Sequence, residues 1–131
     1  MNGVAHSIKY GILCEDIRRE DNGKLILIGM YGRNIELSAM PSPLALALLI
    51  AIDAISPGTT KIEVIASLND EQVSRATGEI GFDGKGLTLV TLPPFLIMIK
   101  EEGTLLIRAK LESGDWVELW NGPILLKGGS A

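Results

Sequence analysis

The stretch from Cys14 to Lys24 is the densest cluster of reactive side chains in the chain: a thiol, the carboxylates of Glu15, Asp16, Glu20 and Asp21, and the cations of Arg18, Arg19 and Lys24. Two kinds of chemistry could use such a set. A thiol nucleophile needs a base beside it to take its proton. His6 is the single histidine and lies eight residues from Cys14, about 26 Å along a strand. The two cannot be partners within one chain, so Cys14 reads as a small buried hydrophobe. A hard cation needs several oxygens in one cage. Glu15 and Asp16 are adjacent, so a strand sends them to opposite faces, and they share an ion only if the strand bulges.

The other candidates fall in the same way. Asp83-Gly84-Lys85-Gly86 has no spaced Asp or Asn series around it. The segment from Gly81 to Leu87 holds glycines and a lysine but lacks the spacing and following helix of a phosphate loop; it reads as a hairpin loop or bulge. There is no Gly-x-Ser-x-Gly elbow. Trp116, Glu118 and Trp120 alternate, so on a strand they share a face. They form either an exposed interaction platform or a cap on the core, and burial tendencies favour the core. No catalytic residue, metal ligand or cofactor is expected.

One polar feature remains. Residues 15 and 16 fall mid-strand, where one face is buried. An unpaired buried charge is costly. At least one of Glu15 and Asp16 is therefore expected to be half-buried and paired, with Arg18 or Arg33 as the partner.

The whole chain bounds what these residues can do. Its 131 residues predict one domain over 1–131, with residues 1–5 and 128–131 frayed. Hydrophobic residues make up 47% and mean hydropathy is +0.29, which argues against disorder. Aromatics are 5%, so aliphatic side chains must fill the core. Net charge is −4 and the basic residues are scattered, unlike the clustered footprint of nucleic-acid binding. A lone cysteine gives no intramolecular disulfide and suits a reducing compartment. The first residues carry no signal-peptide pattern. The longest apolar run, Pro43 to Ile52, is about half the length that spans a bilayer as a helix. A soluble cytoplasmic domain, without nucleic acid or membrane as partner, is the expectation.

Hydrophobic periodicity supplies the elements. Ile8, Tyr10, Ile12 and Cys14 fall on one side of a first strand. Asn22-Gly23 between apolar runs marks a hairpin of residues 6–19 with 24–31. Two registers are open. A two-residue turn pairs Cys14 with Tyr31; a three-residue loop with Gly23 left-handed pairs Cys14 with Met30. Asn-Gly favours the first. Residues 25–31 read as a strand buried on both faces, and residues 33–37 as a short strand. Residues 44–52 are ambiguous. Ser42-Pro43 and the Leu-Ala composition suit a helix start. Yet large residues at every second position favour a strand with one crowded and one tight face. Residues 61–68 and 72–80 form a second antiparallel pair, with Ser67 outward. Residues 87–92 are a strand that Pro93-Pro94 ends, followed by an apolar segment at 95–99. Residues 104–111 alternate, with Leu105, Ile107, Ala109 and Leu111 inward. Residues 116–120 and 124–127 complete the set. Eight or nine short strands with turns every 8–12 residues predict an all-β fold, an antiparallel β-sandwich, loosely immunoglobulin-like.

The run Gly11-Ile12-Leu13-Cys14-Glu15-Asp16-Ile17-Arg18, the turn Asn22-Gly23-Lys24 and the run Leu27-Ile28-Gly29-Met30-Tyr31 together resemble a family of small, functionally uncharacterised bacterial and phage proteins. Its signature is Cys-Glu-Asp-x-Arg, Gly-Lys, then Leu-Ile-Gly-x-Tyr. The resemblance implies a β-sandwich and a phage or prophage setting, and brings no catalytic residue. The function expected is a non-enzymatic module that binds a protein partner or assembles with itself. A phage-encoded inhibitor of a host protein and a small enzyme without a recognisable motif are the alternatives.

Overall fold

The computed structural model of the chain describes residues 6–112 and 114–127; the expected frayed termini lie outside them. These residues form nine strands: β1 (His6–Arg19), β2 (Leu25–Met30), β3 (Ile35–Leu37), β4 (Ser42–Ala54), β5 (Pro57–Leu68), β6 (Glu71–Asp83), β7 (Gly86–Ile99), β8 (Gly103–Leu111) and β9 (Val117–Leu126). A four-stranded sheet in the order β2-β1-β4-β7 packs on a five-stranded sheet in the order β3-β9-β8-β5-β6. Every pairing is antiparallel except β3 with β9. With β2 and β3 set aside, β1-β4-β7 faces β9-β8-β5-β6, the A-B-E against G-F-C-C′ arrangement of immunoglobulin-like sandwiches.

Alternation drives this packing. Leu105, Ile107, Ala109 and Leu111 of β8 are all buried, as are Ile62, Val64 and Ala66 of β5. Across the interface β4 contributes Leu44, Leu46, Leu48, Ile50 and Ile52. Each fully buried Leu or Ile contributes about 1.5–3 kcal/mol against exposure. So residues 44–52 are a strand, because every second side chain has an opposing sheet to meet.

The other face of β4 is also covered, by a different route. Pairing of β1 with β4 stops at Cys14–Ala47, whereas pairing with β2 continues to Arg19–Leu25. Beyond Cys14 the hairpin lies over the outer face of its own sheet, where Leu25 and Leu27 share a hollow with Leu49 and Leu89. Cys14, Ala47, Leu49 and Ala51 are buried without belonging to the intersheet core. They form a second, thinner apolar layer.

Several local expectations give way to bulges and edges. The hairpin takes the three-residue loop: Cys14 pairs with Met30, Arg19 with Leu25, and Glu20 N–H donates to the Lys24 carbonyl at 2.8 Å. Gly23 adopts φ +85°, the left-handed position that closes a type I turn with one further residue. Residues 25–30 are a mostly exposed edge strand rather than one buried on both faces. A shift in register between Ile8 and Tyr10 breaks the expected alternation of β1. Pro93-Pro94 does not end a strand. β7 runs through it, with Leu46 opposite Phe95 and Leu48 opposite Leu92, because an edge strand tolerates missing N–H groups at a bulge. Residues 116–120 and 124–127 are likewise not separate strands, since β9 spans Val117–Leu126. The loop at residues 84–85 carries the chain from one sheet to the other instead of closing a hairpin. Ser67 keeps the outward side of β5, which pairs with β8 without a break from Ile62 to Leu68, but it is buried there; the extra residue at the Ala66/Ser67 register shift is Val73, on β6.

Candidate interaction surface

The reactive cluster at the start of the chain resolves into separate structural roles. The Cys14 thiol is buried, with Sγ 3.4 Å from the Asp16 carbonyl oxygen and 3.6 Å from that of Ala47. Burial pushes its pKa up, away from the thiolate; the charges of Asp16 and Glu15 add to this, and backbone hydrogen bonds at Asp16 and Ile28 offset part of it. Asp16 is half-buried and accepts from Arg18 Nε at 3.2 Å, with the two side chains 35% and 70% exposed respectively. Its Oδ1 also accepts the Ile17 N–H at 2.9 Å. At that exposure the pair contributes at most about 1 kcal/mol. Glu15 is exposed and lies across Gly29 of β2, where an added Cβ would come within 2.8 Å of the carboxyl carbon. Arg33 is exposed and makes no ion pair with either carboxylate. Asn22 accepts the Lys24 N–H at 3.0 Å through Oδ1 and so shapes the turn.

Two features were not foreseen from the spacing of residues. Tyr31 donates its hydroxyl to the Ala45 carbonyl at 3.1 Å. Burial, seconded by Glu15 and Cys14, pushes its pKa up to about 12. His6 is 3.2 Å from the Ser56 carbonyl through Nε2 and stacks on Phe82 at 4.6 Å between centroids. It ties β1 to the turn after β4 and to β6, far from Cys14. Signals for both were weak, since a single aromatic and a single histidine carry no pattern.

Trp116 and Trp120 do not share a face. β8 and β9 slip by one residue, with Ile107 opposite Trp120 and Arg108 opposite Glu118. The extra residue, Leu119, resets the alternation. Trp120 turns to the core edge and donates Nε1–H to the Gly32 carbonyl at 3.1 Å. Trp116 stays outside, with the Arg108 guanidinium 5.2 Å and the Lys110 amine 5.8 Å from its ring centroid. Glu118 is exposed on that same outer side.

Exposed apolar side chains gather elsewhere. On β7, Leu87, Leu89, Leu96 and Met98 project outward; Leu96 is 70% exposed. Register places Leu89 beside Ala51 and Tyr10, so two large exposed side chains flank a small one. Met30, Ile28 and Ile26 of β2 continue the exposed apolar set at the other side of the same sheet. The five-stranded sheet presents a different face. A shallow groove of about 660 Å³ there is lined by Lys61, Glu63, Arg75, Glu79, Lys110 and Glu112 among others, and Glu63 pairs with Arg75. Among the described residues, no group of three or more His, Cys, Asp or Glu is placed to hold a metal ion. No helix there is long and apolar enough to cross a membrane.

No protein-family model matches the chain, and no curated protein does. Among solved structures it is similar to the CARDB domain of a Pyrococcus furiosus protein, solved in complex with di-metal ions. The TM-score is 0.45 at 11% identity, over 92% of this chain and 99% of that one.

Proposed function

We propose that the protein is a non-enzymatic interaction module that docks a protein partner on the outer face of its four-stranded sheet. One observation carries this reading: the exposed side chains of β7, Leu87, Leu89, Leu96 and Met98, stand on one face of one strand. They stand as two pairs on either side of the Pro93-Pro94 bulge, and large apolar side chains gathered on one exposed face mark contact sites. The groups whose acidity the fold visibly alters point the same way. Cys14 and Tyr31 are both raised, which makes a poorer nucleophile and a poorer acid at neutral pH.

The setting we infer is the cytoplasm of a bacterium carrying a phage or prophage, on the resemblance of residues 11–31. Virion, lysogeny or defence genes beside this one support that setting, and a metabolic operon counts against it. The docking reading is tested by affinity capture from lysate with the protein and with Leu96→Lys/Met98→Lys. A partner retained by the former and lost by the latter supports it. A partner that binds both equally contradicts it.

A further inference from the structure

The five-stranded sheet ends in a long edge that no proline interrupts. At the other end, β3 is three residues long. In the four-stranded sheet, β2 is short and β7 carries Pro93-Pro94 and a bulge at its middle. By contrast, β6 runs thirteen residues, mostly exposed, without a proline, and its own bulge, at Val73, lies near one end rather than at the middle. Natural sandwiches cover or interrupt such an edge, since its free N–H and C=O groups invite another strand.

The charges along β6 say which strand fits. Arg75, Thr77 and Glu79 alternate along it and stand on the groove face, beside Glu63 and Lys61 of β5. In an antiparallel two-fold pairing, residues equidistant from the axis face each other. With the axis at Thr77, Arg75 meets Glu79 of the second copy, and Glu79 meets its Arg75; the pairing runs over residues 74–80, because the bulge at Val73 ends the register before Glu71 would face Asp83, a like-charge pair. Centring on Arg75 or on Glu79 instead sets like charges together at the axis. The Thr77 register also extends a row already present. Lys61 pairs with Glu79 across β5 and β6, so Glu79 would stand between Lys61 and the partner's arginine. On the other face, Ala76 meets Gly78, two small residues that leave the strands free to approach. An apolar hollow of about 260 Å³, lined by Val64, Ala66, Ala76, Leu92 and Phe95 among others, opens along the same edge, where a second copy would close it.

We propose that two copies of this chain pair through β6, antiparallel about Thr77, to form one continuous ten-stranded sheet. This surface is separate from the apolar face of the four-stranded sheet, so either can fail without the other. Sedimentation velocity of the full chain over a wide concentration range tests it. The protein sediments as a concentration-dependent dimer. Glu79→Arg sets Arg75 against an arginine and weakens the dimer by about tenfold or more, and Arg75→Glu/Glu79→Arg restores it. Thr77→Lys guards against mere misfolding. Its lysine gains Glu63 directly opposite within the chain, yet meets a second lysine at the axis, so it too weakens the dimer while circular dichroism stays unchanged. A monomer at every concentration overturns the proposal, and so does a dimer that Thr77→Lys and Glu79→Arg leave intact. Leu96→Lys/Met98→Lys dimerises as the unaltered chain does.

Discussion

Tyr31 joins the two ends of an argument about burial. Its hydroxyl is held by the Ala45 carbonyl, and its pKa is pushed up to about 12 from an ordinary 10.0. The folded state therefore keeps its proton where the unfolded chain has lost it. Stability from this group is fully present below pH 10 and is lost as pH rises toward about 12. Spectrophotometric titration checks this: the phenolate step that disappears in Tyr31→Phe falls near pH 12, provided the fold survives there. Cys14 behaves alike for the same leading reason, burial. Thiol reagents are expected to modify it slowly in the native protein and rapidly in denaturant. Equal rates would mean the hairpin does not cover it. The two tryptophans separate by burial too. Trp120→Ala removes a large side chain packed at the core edge and is expected to cost about 3 kcal/mol or more in urea unfolding. Trp116→Ala gives up an exposed ring and a cation–π contact, about 1 kcal/mol.

Elements with a clean period were legible, and elements shaped by bulges were not. β8 alternates without interruption, and its four inward residues follow from spacing alone. β4 has the composition of a helix, yet its large residues recur at every second position, and the strand period prevailed. Where one extra residue enters, at Leu119 or at Pro93-Pro94, alternation resets and a face inferred by counting is wrong. Asn-Gly announced a hairpin without fixing whether its loop has two residues or three. Another turn hides a device that spacing does not show. Asn69 and Asp70 both have positive φ, 51° and 67°, the mirror-image turn that suits a two-residue hairpin. Asn69 then reaches β8: its N–H donates to the Thr104 carbonyl at 3.0 Å and its Oδ1 accepts the Thr104 N–H at 2.9 Å. Asn69→Ala is expected to destabilise by about 1–3 kcal/mol, losing both the side-chain bond and a residue suited to the left-handed conformation. Asn69→Gly recovers the backbone share only. A thermal-unfolding series over the three proteins separates the two contributions.

At the scale of the molecule, two sheets bury one core and β4 lies between two apolar layers. Ile50→Ala, inside the main core, is expected to cost about 2–5 kcal/mol, whereas Leu96→Lys on the outer face should lie within about 0.5 kcal/mol of the unaltered chain. Unfolding in urea distinguishes them. Equal losses would mean the β7 face is structural and not a docking surface. The division of labour between the sheets was partly legible. An all-β sandwich with an aliphatic core follows from composition and period, but the exposed face of β7 does not, because a sequence shows which residues are apolar and not which remain uncovered. The most direct measurement is photo-crosslinking in lysate from a reactive residue placed at Leu96, compared with one at Thr59, exposed on the other sheet. The docking reading predicts a discrete protein adduct from position 96 and none from position 59. Adducts from position 59 alone, or the same adducts from both, would contradict it.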